Sequence, residues 1–387
     1  MRALKQAFLL DPDVVFLNHG SFGATPRPVF EAYQRWQREL ERQPVEFLGR
    51  RHDALMRSAR TILAEYLGAQ PDNVVYTQNV TISVNIVARS LALGNGDEVL
   101  ASDHEYGACD RTWHFLARER GFSYINWPVA MPPASTQSLV DGFWRGVTPR
   151  TRLIFLSHIT SPSALILPVA EICRRARAAG ILTLIDGAHA PGQIPLDLLR
   201  LGADFYGGNL HKWVCAPKGA GFLYARPEVQ SLLKPLVVSW GYESEQPSGS
   251  TFIDYHEWWG TRDIASFLAV EDAIRFQAAN DWPRIRAECH ALLKTALQGV
   301  QDITGMPALY PDDTWYAQMG VASLPSGTDI ETLQSRLYAE HHIEVPLVDW
   351  KGKRLIRISV QGYNEPGDID RLLQALPHVL STPVGTN

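Results

Sequence analysis

Between residues 73 and 225 the chain alternates short apolar runs with longer segments of helical periodicity. The pattern predicts strands at 73–79, 97–103, 122–128, 151–158, 181–186, 203–209 and 220–225. The run at 151–158 is continuously apolar, as a strand covered on both faces must be. Helices are predicted at 80–93, before Gly94-Asn95-Gly96, and at 169–179, before Gly180. The last two strands have a short connection, which suits an antiparallel pair. Strands alternating with helices specify an α/β domain with a mainly parallel, seven-stranded-type sheet flanked by helices. Upstream, Phe30, Tyr33, Trp36 and Leu40 form one stripe of a helix over 28–42. Ile264, Phe267, Leu268 and Ile274 mark a further amphipathic helix. After about residue 280 the order becomes helix (283–299), strand (318–324), helix (329–340), strand (354–360) and helix (367–377), a smaller C-terminal α+β domain. The expected division is a large domain at 28–275 and a small one at 276–387, joined by 1–27. Residues 239–256, rich in Ser, Gly, Tyr and Glu, are expected to form a mobile rim.

Composition narrows the function classes. The 387 residues can bury a large core. The net charge of −5 does not advertise binding to nucleic acid or to an anionic membrane. No apolar run reaches the roughly 18 residues needed to span a bilayer. The N-terminus lacks a cleavable-signal pattern. Cys109, Cys173, Cys215 and Cys289 are scattered with no CxxC pair, which fits a reducing cytoplasm rather than a disulfide scaffold or zinc ribbon. His341 and His342 diverge at a helix end with no third ligand, so no metal is expected.

Two segments concentrate candidate chemistry. Lys212 lies in a Gly-, Asn- and Pro-rich turn between two apolar strands. It reads either as a solvated loop lysine or as an amine that forms a Schiff base with an aldehyde cofactor. The stretch 218–221 is not a P-loop, because it lacks the GxxxxGK[ST] spacing and the following helix. Asp186 ends another apolar strand, followed by a small-residue turn with His189. Alone it reads equally as a turn aspartate. A carboxylate at the carboxyl end of a central strand, however, lies where α/β sheets bind ligands. A pyridoxal phosphate enzyme needs this pair: a lysine for the aldehyde and an acid for the pyridine nitrogen. In the strand at 354–360, Arg354, Ile356, Ile358 and Val360 share one face, and Leu355, Arg357 and Ser359 the other.

The blocks FLNHGSFGATP (16–26), QPVEFLGRR (43–51), DHEYGAC (103–109), SHITSPSALILP (157–168), DGAHAPG (186–192), NLHKW (209–213), WWGTRDIASFLAVEDAI (258–274) and RISVQGYN (357–364) stand in order along nearly the whole chain. Through them the chain resembles the fold-type I, pyridoxal phosphate-dependent class V aminotransferase family, in its isopenicillin N epimerase-like branch. The resemblance implies that Lys212 carries the cofactor and that Asp186 partners the ring nitrogen. His189 takes the place near the phenolate oxygen where cysteine desulfurases carry glutamine, and Ser161 lies on the same side. Asn79, Val80 and Thr81 form the helix-start phosphate cradle, joined by Asn209 and His211. Thr261 reaches the phosphate of a neighbouring subunit, so a homodimer with shared sites is expected. His104 and Tyr106 compete for the aromatic stacked on the ring. Arg357 anchors the substrate α-carboxylate through a forked pair, and Asn18, His19 and Ser21 close over it.

The implied reaction starts with proton abstraction from Cα of an amino acid by Lys212. Return of a proton from the opposite face, by Tyr106 or His104, gives epimerisation. Loss of a sulfur leaving group gives a C–S β-lyase. Transamination and cysteine desulfuration rank lower, the latter because no cysteine follows Cys289. Trp240, Trp258 and Trp259 suggest a bulky substrate pocket, or else core or dimer contacts. A non-catalytic binding protein of the same fold would have lost Lys212 or Asp186, and neither is lost. A nucleotide-binding enzyme lacks any GxGxxG or Walker pattern in support.

Overall fold

The computed structural model describes residues 2–381; the ends of the expected domains, at 1 and 387, lie outside the described residues. Its strands are β1 (Val15–Phe16), β2 (Val74–Thr77), β3 (Glu98–Ser102), β4 (Ser123–Trp127), β5 (Thr151–Ser157), β6 (Leu182–Gly187), β7 (Phe205–Asn209), β8 (Gly221–Ala225), β9 (Met319–Ser323), β10 (Ile343–Glu344), β11 (Leu347–Trp350) and β12 (Lys353–Ser359). Seven of them form one sheet in the order β2-β8-β7-β6-β5-β3-β4. The β3–β4, β3–β5, β5–β6 and β6–β7 pairs are parallel, and β8 is antiparallel to both its neighbours.

Both faces of this sheet are covered, which explains the unbroken apolar runs. Along β5, Ile154 and Leu156 enter one core, while Leu153 and Phe155 enter the other. Along β8, Phe222 and Tyr224 face the first core, and Leu223 and Ala225 the second. Full burial of each such Leu, Ile or Phe side chain stabilises the fold by about 1.5–3 kcal/mol.

A second, antiparallel sheet runs β11-β12-β9 and packs on the helix Trp282–Thr304. The N-terminal β1 pairs in parallel with β10, and the Ser359 N–H donates to the Leu17 carbonyl at 2.9 Å. The first segment of the chain is thus woven into the C-terminal region. At Gly23, with φ +69°, an added Cβ would lie 1.9 Å from the His211 carbonyl oxygen. The N-terminal turn therefore presses directly on the loop that carries Lys212.

Several elements depart from the periodicity reading. The expected helix around 264–274 is two, Ala265–Leu268 and Val270–Ala279, separated at Ala269. In the helix Arg27–Arg42 the fully buried positions are Val29, Ala32 and Leu40, while Phe30, Tyr33 and Trp36 are half-buried. Of the expected stripe, Leu40 and Trp36 meet the core, whereas Phe30 and Tyr33 line a surface cavity with Leu9 and Leu10. The rim expected at 239–256 is irregular only as far as Ser250. Residues Thr251–Glu257 form a helix that buries Phe252, Ile253 and His256. The helices His52–Leu67, Gly107–Arg120 and Thr136–Trp144 had no expectation.

Candidate active site

The carboxyl ends of β5, β6 and β7 converge on a cavity of about 250 Å³. Ser157 ends β5 and pairs in register with Asp186 on β6, and Lys212 follows three residues after β7. Parallel neighbouring strands deliver their tips to one edge of the sheet, so Asp186 and Lys212 meet although 26 positions separate them in sequence. The lining also includes Ser21, Asn79, Val80, Thr81, Tyr106, Ser161, His189, Asn209 and His211.

The helix Val80–Ser90 begins at the cavity wall. Asn79 caps it, with Oδ1 accepting from the Ile82 N–H at 3.1 Å. Asn209 Oδ1 accepts from the Val80 N–H at 2.9 Å, tying the tip of β7 to the helix start. A Cβ on Gly207 would lie 2.9 Å from Val80 Cγ2, so only glycine lets the helix lie this close to the sheet. The positive end of the helix macrodipole faces the cavity and favours an anion there.

Burial sets the protonation chemistry. It pulls the Lys212 amine down to about 8, helped by the Arg357 charge and opposed by Asp186. It pushes the Asp186 carboxyl up, against the Ala188 N–H, which donates to Oδ1 at 2.8 Å. The His189 imidazole is held well below its usual range by burial and by Lys212. His211 falls to about 4 for the same two reasons, and its Nδ1–H donates to the Ala220 carbonyl at 3.2 Å.

Three residues beside the cavity carried no expectation. Glu105, buried next to Tyr106, accepts at Oε2 from the Ser157 N–H (2.8 Å) and Oγ (2.6 Å) and contacts Ser102 through Oε1. Burial raises it to about 8. Cys109 donates its thiol proton to Asp186 Oδ2 at 3.5 Å. Trp213 donates from Nε1 to His189 Nδ1 at 3.3 Å. Trp213 stood inside the NLHKW block, but adjacency to a lysine does not reveal where an indole points.

Arg357 stands at the rim, in an adjoining cavity of about 300 Å³ that shares Tyr106 and Ser161 with the first. It is 7% exposed. Its Nη1 donates to the Ser161 carbonyl (2.7 Å) and Oγ (3.1 Å), its Nη2 to Ser21 Oγ (3.2 Å), and its Nε has no partner. Among the described residues no carboxylate forms an ion pair with it. Ser21 in turn donates to Asn18 Oδ1 at 2.5 Å, and Asn18 Nδ2 donates to Glu344.

Other expected residues lie elsewhere. His104 is fully buried outside the cavity, with Nε2–H donating to the Val129 carbonyl, Nδ1 on Ser163 Oγ and its ring against Trp350. After β3 the chain turns at Asp103 and His104, which sends His104 away from the cavity while Tyr106 lines it. His19 is also fully buried; its Nε2–H donates to the Lys212 carbonyl at 2.9 Å and Nδ1 meets the Tyr363 hydroxyl. It braces the lysine's main chain rather than closing over a substrate, and Asn18 reaches the site only through Ser21. Thr261 lines a separate cavity with Gln37, Leu40 and Arg262. Trp240 and Trp258 line a cavity of about 600 Å³ beside Arg60 and Glu257, away from Lys212.

Comparison with known proteins places the whole chain in one family. Residues 15–372 match the family described as aminotransferase class-V. The chain is 39% identical to isopenicillin N epimerase of Streptomyces clavuligerus, over 95% of each chain. It is 28% identical to the putative L-cysteine desulfhydrase 1 of rice (Oryza sativa subsp. japonica), over 94% of this chain and 82% of that one. Among solved structures, C-DES with glycine covalently linked to its PLP cofactor superposes with a TM-score of 0.81 at 23% identity, covering 95% of this chain and 97% of that one.

Proposed function

The chain belongs to the class V aminotransferase family, and from that premise we propose that it is a pyridoxal phosphate-dependent epimerase acting at Cα of an amino acid. The observation that carries the reading is the meeting of the Lys212 amine and the Asp186 carboxyl in one cavity beside a buried arginine without a carboxylate partner. The donor set fits the cofactor. Lys212 would hold its aldehyde, Asp186 its ring nitrogen, and Thr81 and His211 its phosphate. When bound, pyridoxal phosphate supplies an aldehyde that links reversibly to amines and a cationic ring that takes up the electron pair of a Cα bond.

The chain's own residues do the rest. Arg357, held by Ser161 and Ser21, receives the substrate carboxylate and so orients Cα. Lys212, a free amine above about pH 8, removes the Cα proton. Tyr106, lining both adjoining cavities, returns a proton. His104 is unsuited to that role because both of its ring nitrogens are already engaged. The name of the Streptomyces clavuligerus relative gives the first substrate to try, isopenicillin N itself.

A second reading, a C–S β-lyase on a cysteine conjugate, draws on the desulfhydrase relative. Desulfuration ranks below it, because all four cysteines are buried and none follows Cys289. Incubation with candidate amino acids in deuterated water separates the readings. Deuterium at Cα with loss of chirality supports epimerisation; pyruvate with ammonia supports the lyase; neither overturns both.

The proposal includes a homodimer that shares its sites. Thr261 sits apart from Lys212, and buried polar atoms of Glu257, Trp258, Trp259 and Arg262 lack partners among the described residues. It also retains the two-domain division at 275/276 and a cytoplasmic location. Among the described residues no helix is long and apolar enough to cross a membrane, and the cysteines are unpaired.

A further inference from the structure

The indole immediately after Lys212 turns back toward the residue that faces the lysine's own amine. Trp213 Nε1 lies 3.3 Å from His189 Nδ1, and His189 Nε2 lies 3.2 Å from Lys212 Nζ. An indole N–H can only donate, so His189 Nδ1 must present a lone pair. A neutral imidazole carries one proton, which must then sit on Nε2. An ammonium group has three donors and no acceptor. The Nε2–H and a protonated lysine would therefore set donor against donor. The three-residue chain is satisfied only when the Lys212 amine is uncharged and offers its lone pair.

We propose that Trp213 is a positioning residue that fixes His189 as its Nε2–H tautomer and thereby favours the free-amine form of Lys212. Protonation of His189 would break the chain, and its surroundings oppose it. Burial is the chief cause and the Arg357 charge adds to it, while His211 and His19, themselves held low by burial, are neutral neighbours. Asp186 lies in the same cavity and acts on Lys212 in the opposite sense.

The arrangement is held on every side. Trp213 is fully buried, with its ring centre 4.9 Å from that of His19 at an interplanar angle of 54°. Its carbonyl accepts from Gln277 Nε2 at 2.9 Å, and Tyr66 donates to Gln277 Oε1 at 2.7 Å. The His189 carbonyl accepts from Gln193 Nε2 at 2.7 Å. The indole cannot swing away without displacing several buried groups.

The tautomer is a property of the cofactor-free protein; only its consequence for the reaction rests on reading Lys212 as the cofactor-bearing lysine. The test is nitrogen NMR of full-length apo-protein labelled with 15N-histidine, His189 being assigned by loss of its signals in His189→Gln. The expected spectrum at neutral pH shows a protonated Nε2 and a bare Nδ1. Trp213→Phe keeps an aromatic ring and removes the donor. It should mix the tautomers and move the pH midpoint for capture of added pyridoxal phosphate upward by about one unit, slowing capture about tenfold at neutral pH. A wild-type spectrum with Nδ1 protonated overturns the proposal, and so does a folded Trp213→Phe protein with unchanged tautomer and midpoint. Should Trp213→Phe fail to fold, the wild-type spectrum alone decides. Failure of the cofactor reading would show as no capture by wild type, with the tautomer unaffected.

Discussion

The Cys109 thiol donates to Asp186 Oδ2 at 3.5 Å, from a helix that follows β3 to an acid one residue before the end of β6. Burial raises the Asp186 carboxyl, and this thiol is one of the groups that pull it back down. A neutral carboxyl cannot hold a cationic ring nitrogen. Cys109→Ala should therefore weaken pyridoxal phosphate binding about fivefold, the loss of roughly 1 kcal/mol. Cys109→Ser should restore most of it. Fluorescence titration of the apo-protein reads the difference, and equal affinity in wild type and Cys109→Ala refutes it.

Arg357 combines a functional gain with a structural cost. A buried cation with only neutral acceptors destabilises the free protein, and an apolar replacement of similar length should relieve that by about 1 kcal/mol. Arg357→Met is expected to melt higher than wild type in the absence of substrate. Its KM should rise about a hundredfold with a smaller change in kcat, because a charged, forked contact worth roughly 2–3 kcal/mol is lost. The visible absorbance of the bound cofactor should not change. A lower melting temperature together with an unchanged KM would contradict both halves.

Acid stability follows from buried neutral histidines. Burial lowers His158 and His256 to about 4 and His19 to about 3, from an ordinary 6.5. Below about 6.5 the unfolded chain binds protons that the folded chain refuses, so stability falls as pH drops. The loss grows down to the folded-state values near 4. Melting temperature should hold above pH 7 and decline from there toward pH 4. His256→Phe should flatten the slope, since among the described residues neither ring nitrogen of His256 has a hydrogen-bond partner to lose. A slope identical to wild type in that variant would show that His256 does not titrate on unfolding.

A shared site makes subunit complementation measurable. Thr261→Val should lower cofactor affinity about tenfold, the loss of one hydrogen bond to a charged group. Lys212→Ala chains should give no lysine-linked absorbance band. In mixed dimers one site combines an intact Lys212 with an intact Thr261 from the other chain. The mixture should recover a wild-type-affinity band at up to one site per mixed dimer. No recovery, with mixed dimers demonstrated by mass, would mean that each chain builds its site alone.

Local pattern along the chain determined the strand–helix alternation, the double-sided burial of the central strands and the placing of Lys212 and Asp186 on neighbouring strand tips. Those features depend on periodicity and on the rule that parallel strands end at a common edge. Tertiary structure alone decided what each polar side chain does there. His19 braces the Lys212 carbonyl across 193 positions, and Arg357 rests on Ser161 across 196. Tyr106 faces the cavity while His104, two residues away, packs under Trp350. Such contacts join segments far apart in sequence, and no repeat of two or 3.6 residues encodes which hydrogen-bond partner a buried group will meet.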